Sequence, residues 1–441
     1  MHNLLPHQVP AVEWLLAHRR GGLFDDQGLG KTIEVAAALE KLHPHRTLIV
    51  APTSVVHNWQ HELRKWAPSL ARVQVITSGS VSVDSDADVL VLTHGLLLNE
   101  KLMRQLDRLE LEVVVLDEAH FFRNPRAKRT AVFYSGREAI CRRARVAVWV
   151  LTGTPIANDP SNLWTMLAGV DPARLRDPLS SRGNLMSYTR FRDRYCEIRP
   201  DAYDPDGKVI GIKNAAELRL RMKDFALRRM KKGVLTLPPV RYGTVELTVE
   251  KLPPELKQLE SNFVIGTELD LRWLRDHESF STWRRLCGIA KARPAAEVLI
   301  NDLQSGMDKV VVFAHHTEVL DIMRKEFYEK GKVRTVSITG SISAAQRKKN
   351  VDLFQNDPDV RVALCNIVAG GTGVTLTAAC DVVFVEMNFV PSDNAQAADR
   401  VNRIGQKRPV LVRSFALAGS VDEVTTEILR RKTEMIRAVI G

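Results

Sequence analysis

Three stretches of this chain hold residues whose types and spacing suit chemistry on a nucleoside triphosphate. The first, DDQGLGKT over 25–32, sets Gly28, Gly30, Lys31 and Thr32 between a strand expected to end at Leu23-Phe24 and a helix-like run, IEVAAALEKL. Glycines let backbone N–H groups wrap phosphate oxygens, and a helix N-terminus adds its positive end. Lys31 would then reach the β- and γ-phosphates, and the Thr32 hydroxyl would bind Mg²⁺. The strict G-x-x-x-x-G-K-[ST] spacing fails at its first position, which is Asp25.

The second stretch supplies what the first lacks. EVVVLDEAH (112–120) reads as an apolar strand delivering Asp117 and Glu118 at its C-terminal end, where sites on open α/β sheets lie. Asp117 would hold Mg²⁺, and Glu118 would orient and polarise the attacking water. Two adjacent acids also cap helices, but the upstream Gly-Lys-Thr favours the metal-and-water reading. The third stretch, QAADRVNRIGQ (396–406), spaces Gln396, Arg400 and Arg403 four and three residues apart. On a helix they would share one face. Two guanidiniums there would stabilise charge on a transferring γ-phosphoryl group, an effect worth ~10³ to 10⁵ in rate where tested. The wide separation of the third stretch from the others predicts hydrolysis in a cleft between two lobes.

The elements that must position these groups are legible as short apolar runs. In the first half they are 47–52, 88–93, 112–118 and 146–154; in the second, 309–315, 334–340, 360–366, 381–387 and 410–416. Runs of this length, rich in Val and Ile and alternating with helical stretches, predict parallel strands covered on both faces. Two such sets predict an α/β chain of two lobes in tandem. The boundary falls near TLPPV (236–240), where two prolines break any helix. Lobe 1 is placed at 1–236 with a helical insertion at about 160–235, and lobe 2 at 237–441 with one at about 250–290.

Composition narrows the class. At 441 residues, 45% hydrophobic and 26% charged, the chain can bury sizeable cores. Its net charge of +11 suits a polyanionic partner. No apolar run reaches the roughly 18 residues of a membrane span, and the start, MHNLLPHQVPAVEWLL, lacks a secretory pattern. The five cysteines have no C-x-x-C pair, so they read as reduced thiols. DPDG (204–207) reads as a turn, because Ala202 and Lys213 stand where a calcium loop would have its first and last carboxylates. His43, His45, His315 and His316 lack Cys or acidic partners at metal spacing and read as structural.

With these motifs in order, the chain resembles the SNF2 family of superfamily 2 ATPases, the double-stranded-DNA translocases related to helicases. LLPHQ (4–8) is similar to the family's glutamine motif, and DDQGLGKT to its DEMGLGKT, which also has Asp at the failed glycine position. APTSVVHNWQHEL (51–63), DEAHFFRNPRAKRT (117–130) and LTGTPIAND (151–159) resemble motifs Ia, II and III. ALRRMKKGVLTLPP (226–239) resembles the link into the second lobe, and AGGTGVTLT (369–377) and QAADRVNRIGQ resemble motifs V and VI. RFRDRYCEI (190–198), VVVFAHHTEVLDIM (310–323), ITGSISAAQR (338–347) and VVFVEMNFVPS (382–392) resemble the annealing-helicase and fork-remodelling branch. Departures are Asn402 for His, Asp26-Gln27 for Glu-Met, and Phe389-Val390 for Trp and a small polar residue.

The resemblance implies two RecA-like lobes, ATP and Mg²⁺ as cofactors, and a motor travelling on double-stranded or branched DNA. It implies that Gln8 reads the adenine, that Gly373, Gln396, Arg400 and Arg403 complete the site, and that Thr152 and Thr154 couple nucleotide state to movement. A motor of this type would hold one strand by its phosphates. Candidates are Thr53, Ser54, Asn58, Trp59, Thr93, His94, Arg123 and Asn124 in lobe 1, and Thr339, Ser341, Arg347, Asn366 and Thr372 in lobe 2. Each also suits turn-capping or packing, and Trp59 suits a core better than a base-stacking platform. The basic run LRRMKK (227–232) reads either as added electrostatic hold or as a solvated face. The expected protein is a soluble, intracellular monomeric motor, in cytoplasm or nucleoid or else in a nucleus, directed by a recruiting protein partner. Rival readings are a strand-separating DNA or RNA helicase and a non-hydrolysing, ATP-switched DNA clamp.

Overall fold

The structure, a computed structural model, describes residues 3–136, 138–156, 159–201, 204–235, 237–249, 252–261, 264–265, 268–269, 277–367, 374–420 and 422. The chain divides after Leu235 into two compact units.

The first unit is built on a seven-stranded sheet. Its strands lie in the order Val73–Ile76, Val89–Thr93, Thr47–Ala51, Val113–Asp117, Ala147–Leu151, Arg20–Leu23 and Ala226–Leu227. Every pairing is parallel. The Thr47, Val89, Val113 and Ala147 strands are buried along their whole length. Side chains alternate across a strand, and the core divides accordingly. Leu48, Val50, Leu90, Leu92, Val114, Leu116, Val148 and Val150 enter one cluster. Ile49, Val89, Val91, Val113, Val115 and Trp149 enter another, with helices Gln8–Ala17, Lys31–Leu42 and Val56–Trp66. Each fully buried Val, Leu or Ile contributes about 1.5–3 kcal/mol, and two dry faces are what make such continuous apolar runs stable.

The second unit repeats the plan with six parallel strands in the order Val240–Leu247, Val410–Leu417, Asp381–Phe384, Val310–Ala314, Val360–Asn366 and Arg334–Ile338.

Both insertions differ from their sequence reading. Residues 160–235 are mixed, holding short helices, an antiparallel pair Cys196–Asp201/Asp204–Ile212, and the strand Ala226–Leu227 that joins the main sheet. DPDG is not a turn; it begins the Asp204–Ile212 strand, with Asp201 paired opposite Asp204. In the second unit the helix His277–Gln304 runs past 290. Its stripe of Ala292, Ala295, Ala296, Leu299 and Leu303 packs with Val310 and Val312, so this half belongs to the core. All five cysteines are free, and four are buried. No described helix is long and apolar enough to cross a membrane.

Candidate active site

Sheet register gathers the motifs of the first unit at one end. Leu23 and Asp117 both pair with Leu151, so three strands finish in one row. The phosphate loop, Glu118 and the Thr152–Thr154 turn all leave from that row. Ala51 pairs with Thr93 nearby, which brings the Pro52 loop to the same edge.

Glycine is required in the phosphate loop for two reasons. Gly28 and Gly30 have φ of +83° and +98°, a region that L side chains rarely adopt. A Cβ on Gly30 would also collide with Gln8 Nε2. Gln8 is buried, donates to Leu29 O at 3.3 Å and accepts from Leu5 N at 2.9 Å. His7 Nε2 lies 3.0 Å from the same Leu29 carbonyl. Gly30 caps the helix Lys31–Leu42, and Lys31 Nζ donates to the carbonyls of Asp25 (2.7 Å) and Asp26 (3.3 Å). Lys31 therefore sits within the curl of its own loop, and Thr32 lies in the first helical turn.

Two further supports grip this loop from elsewhere in the unit. A Cβ on Gly153 would lie 2.7 Å from Gln27 Cγ, so only glycine lets the LTGTP turn pack so closely. Within the basic run LRRMKK, Arg228 and Arg229 form neither a solvated face nor an external hold. Arg228 Nη1 donates to Phe24 O at 2.6 Å, and Arg229 N donates to Asp25 Oδ1 at 2.7 Å. The Arg229 guanidinium bonds both carboxylates of buried Asp25 and Glu34, reaching Glu34 Oε1 at 2.7 Å. Asp25, the residue that breaks the Walker spacing, is thus one half of a buried ion pair. Sequence reading missed it because its partner lies 204 residues away.

The Asp117 carboxylate is held from two sides. Trp59 Nε1 donates to Oδ2 at 2.8 Å, and Glu118 N donates to Oδ1 at 2.9 Å. His94 Nε2 lies 2.9 Å from Asp117 O, and because a carbonyl only accepts, Nε2 carries the proton. Burial lowers His94 to about 4, so it is neutral at physiological pH. Burial also pushes Asp117 up, as does neighbouring Glu118, while Trp59 and the Lys31 ammonium pull it down. Lys31 is therefore within electrostatic reach of the Asp117 carboxylate. The Asp117 carboxylate at its strand end and the Thr32 hydroxyl in the first turn of the Lys31–Leu42 helix offer hard oxygens, the donor type Mg²⁺ takes. Asp117 and Thr32 fit that ion.

Glu118 has φ +50° and ψ +50°, a left-handed conformation costing about 1–3 kcal/mol in a non-glycine residue. It turns the chain so that His120 Nδ1 lies 3.2 Å from Glu118 Oε2 and 3.0 Å from Thr152 Oγ1. Thr152 Oγ1 in turn accepts from Thr154 N at 3.0 Å. A continuous polar contact thus joins the DEAH turn to the LTGTP turn.

In the second unit the structure corrects one expectation. Gln396 lies on the helix Pro391–Ala398, but that helix ends before Arg400, so the three residues do not share one helical face. The Arg400 carbonyl is instead taken by Leu376 N at 2.9 Å, and successive tight turns carry the chain to Gly405 at φ +103°. Arg403 Nη1 donates to Val374 O at 3.2 Å and Thr375 Oγ1 at 3.0 Å. Gln406 is buried and donates to Ala379 O at 2.7 Å, which fixes the end of the motif. Thr372 and Gly373 lie outside the described residues.

The remaining phosphate-contact candidates divide by exposure. Thr53, Ser54, Asn58, Asn124 and Ser341 are exposed, and Arg123, Arg347 and Asn366 are half-buried. Thr93, His94, Thr339 and Trp59 are buried. Arg347 Nη2 donates to Thr339 O at 3.2 Å, and Asn366 Nδ2 donates to His315 O at 3.1 Å.

This geometry can be set beside known proteins. The SNF2-related domain matches residues 7–260, and the helicase conserved C-terminal domain matches residues 291–405. The chain belongs to the SNF2 family. It carries that family's helicase-like ATPase core, on two units each built around a parallel sheet. Among its relatives is the bovine (Bos taurus) DNA annealing helicase and endonuclease ZRANB3, 31% identical over all of this chain and 41% of that protein. Another is the Caenorhabditis elegans homolog of SWI/SNF-related matrix-associated actin-dependent regulator of chromatin subfamily A-like protein 1, 29% identical over all of this chain and 62% of its own length. The chain thus spans about two fifths to three fifths of these relatives. A solved Sulfolobus solfataricus SWI2/SNF2 ATPase core in complex with dsDNA is 24% identical, with TM-score 0.45, over all of this chain and 97% of that one.

Proposed function

We propose that this SNF2-family chain is an ATP-driven translocase on duplex or branched DNA, and that it remodels DNA structures or protein–DNA complexes. The observation that carries the reading is the meeting, at one end of one parallel sheet, of the Lys31 loop with Asp117 and Glu118. In this reading the loop N–H groups and Lys31 bind the triphosphate. Trp59 and the Glu118 amide orient Asp117, and Glu118 positions the attacking water. Mg²⁺ held by Thr32 and Asp117 would neutralise charge on the phosphate oxygens. Gln8 is assigned to the adenine while steadying Leu29. Gln396, Arg400 and Arg403 are assigned to charge developing on the γ-phosphoryl group, and Gly373 to the same task. The His120–Thr152 contact is the route by which hydrolysis would alter the LTGTP turn. The track is proposed to run over Ser54, Arg123, Asn124, Arg347 and Asn366, with Thr93, Thr339 and Thr372 shaping it. A monomeric motor directed by a recruiting partner is the expected working form.

The test is an ATPase assay with single-stranded, duplex and forked DNA and with RNA, with Glu118→Gln as control. Stimulation by duplex or forked DNA, with ATP bound but turned over at least about 100-fold more slowly in Glu118→Gln, supports the proposal. Preferential stimulation by single-stranded RNA points to a strand-separating helicase. Tight ATP binding without turnover on any nucleic acid points to a switched clamp.

A further inference from the structure

Arg229 is the only cation the described residues show bonded to both Asp25 and Glu34. Asp25 lies inside the phosphate loop and Glu34 in the first turn of the helix that follows it, and both side chains are fully buried. The Arg229 amide also donates to Asp25 Oδ1, and its guanidinium donates to the His7 carbonyl, next to Gln8. Asp26 N returns a bond to Arg229 O at 3.0 Å, and Lys231 N donates to Asp26 Oδ2 at 3.0 Å. One residue therefore connects the loop, the phosphate helix and the N-terminal glutamine motif. Burial alone would lower the Arg229 pKa, but the two carboxylates raise it, so the charge is retained. The same carbonyls of Asp25 and Asp26 accept from Lys31 Nζ, so any shift of Asp25 moves the ammonium that meets the triphosphate. Arg229 stands six residues before the unit boundary at Leu235, on the segment by which the chain leaves the first unit.

We propose that Arg229 is a positioning residue for ATP: by bridging Asp25 and Glu34 it sets the curvature of the phosphate loop, and it makes nucleotide affinity depend on the 226–235 segment. The inference rests on the ATPase reading of the site and extends it to a residue that touches no substrate. A guanidinium can bridge two carboxylates through separate N–H groups in one plane, whereas an ammonium of similar reach is a point charge. Lysine at this position would keep the charge and much of the fold but lose the bridge. The Ala226–Leu227 strand, which brings Arg229 to the loop, is held by its own ladder with Gly22 and Leu23 and does not need the bridge.

The experiment compares wild type, Arg229→Lys, Asp25→Asn and the double variant. It measures binding of a fluorescent ATP analogue, steady-state KM and kcat with duplex DNA, and thermal melting. The expected result for Arg229→Lys is a rise of at least about tenfold in both Kd and KM, with kcat at saturating ATP within about threefold of wild type and a cooperative melt retained. Adding Asp25→Asn to Arg229→Lys should then cost little more, because both remove one bridge. Wild-type Kd and KM in a folded Arg229→Lys protein would overturn the inference, as would fully additive losses in the double variant. Failure of wild type to bind or hydrolyse ATP at all would instead sink the underlying ATPase reading, so the two failures are distinguishable.

Discussion

Trp59 and Asp117 are joined side chain to side chain: the indole Nε1 donates to Asp117 Oδ2 over 2.8 Å, and both groups are buried. A tryptophan in a motif expected to line a DNA track is thus turned inward, where it orients the carboxylate assigned to Mg²⁺. Trp59→Phe keeps most of the volume and removes the donor. It should cost about 1–3 kcal/mol of stability and raise the Mg²⁺ concentration needed for half-maximal ATPase, leaving duplex-DNA affinity unchanged. An Mg²⁺ titration with a parallel DNA-binding assay checks this; weakened DNA binding with an unaltered Mg²⁺ requirement would restore the track role.

Gly30→Ala meets two penalties at once, a φ of +98° and contact with Gln8 Nε2. The backbone term alone is about 1–2 kcal/mol. ATP-analogue binding should fall by at least about tenfold. Gln8→Ala added to Gly30→Ala should recover part of the thermal stability, since it removes the collision but not the backbone strain.

Arg403→Ala should lower kcat by at least about tenfold while ATP affinity stays near wild type, as expected of a group acting on developing charge. Because Arg403 also bonds Val374 O and Thr375 Oγ1, a modest drop in melting temperature should accompany it. Lost ATP binding at unchanged kcat would contradict the assignment.

Glu217 accepts from Arg194, Tyr195 and Arg221, and the Arg194 hydrogen bonds chiefly hold its pKa down at about 2, against a usual 4.5. A carboxylate with a lowered folded-state pKa stabilises above its unfolded value and loses that contribution as pH falls through the folded one. Glu217→Gln should therefore melt below wild type at pH 7, with the gap closing between pH 4.5 and about 2. Melting curves across that range decide it; a gap constant with pH would remove the charge from the explanation.

The nine apolar runs read from sequence all contain parallel strands, because two-sided burial leaves an unmistakable Val/Ile/Leu signature. Three strands of the main sheets were not read. Val73–Ile76 is only partly buried, Val240–Leu247 is largely exposed with polar residues interleaved, and Ala226–Leu227 is two residues long. All three lie at sheet edges, where one-sided contact dilutes the hydrophobic pattern.

The site divides similarly. The convergence of the Lys31 loop with Asp117 and Glu118 was legible because each follows a short apolar strand of the same parallel sheet. Arg229 was not, because an ion pair spanning 204 residues leaves no local pattern. The shared face of Gln396, Arg400 and Arg403 was misread because spacing of four and three suits a helix, while the Leu376 amide captures the Arg400 carbonyl and stops one from continuing.

Because Ala226–Leu227 completes the sheet beside Arg20–Leu23 and delivers Arg229 to Asp25, a ribosome making this protein releases the phosphate loop long before its counter-ion. During that interval Asp25 has no guanidinium to meet, and the Arg20–Leu23 strand has an open flank. The bridge from Arg229 to Asp25 and Glu34 can therefore close only near the end of the first unit's own synthesis.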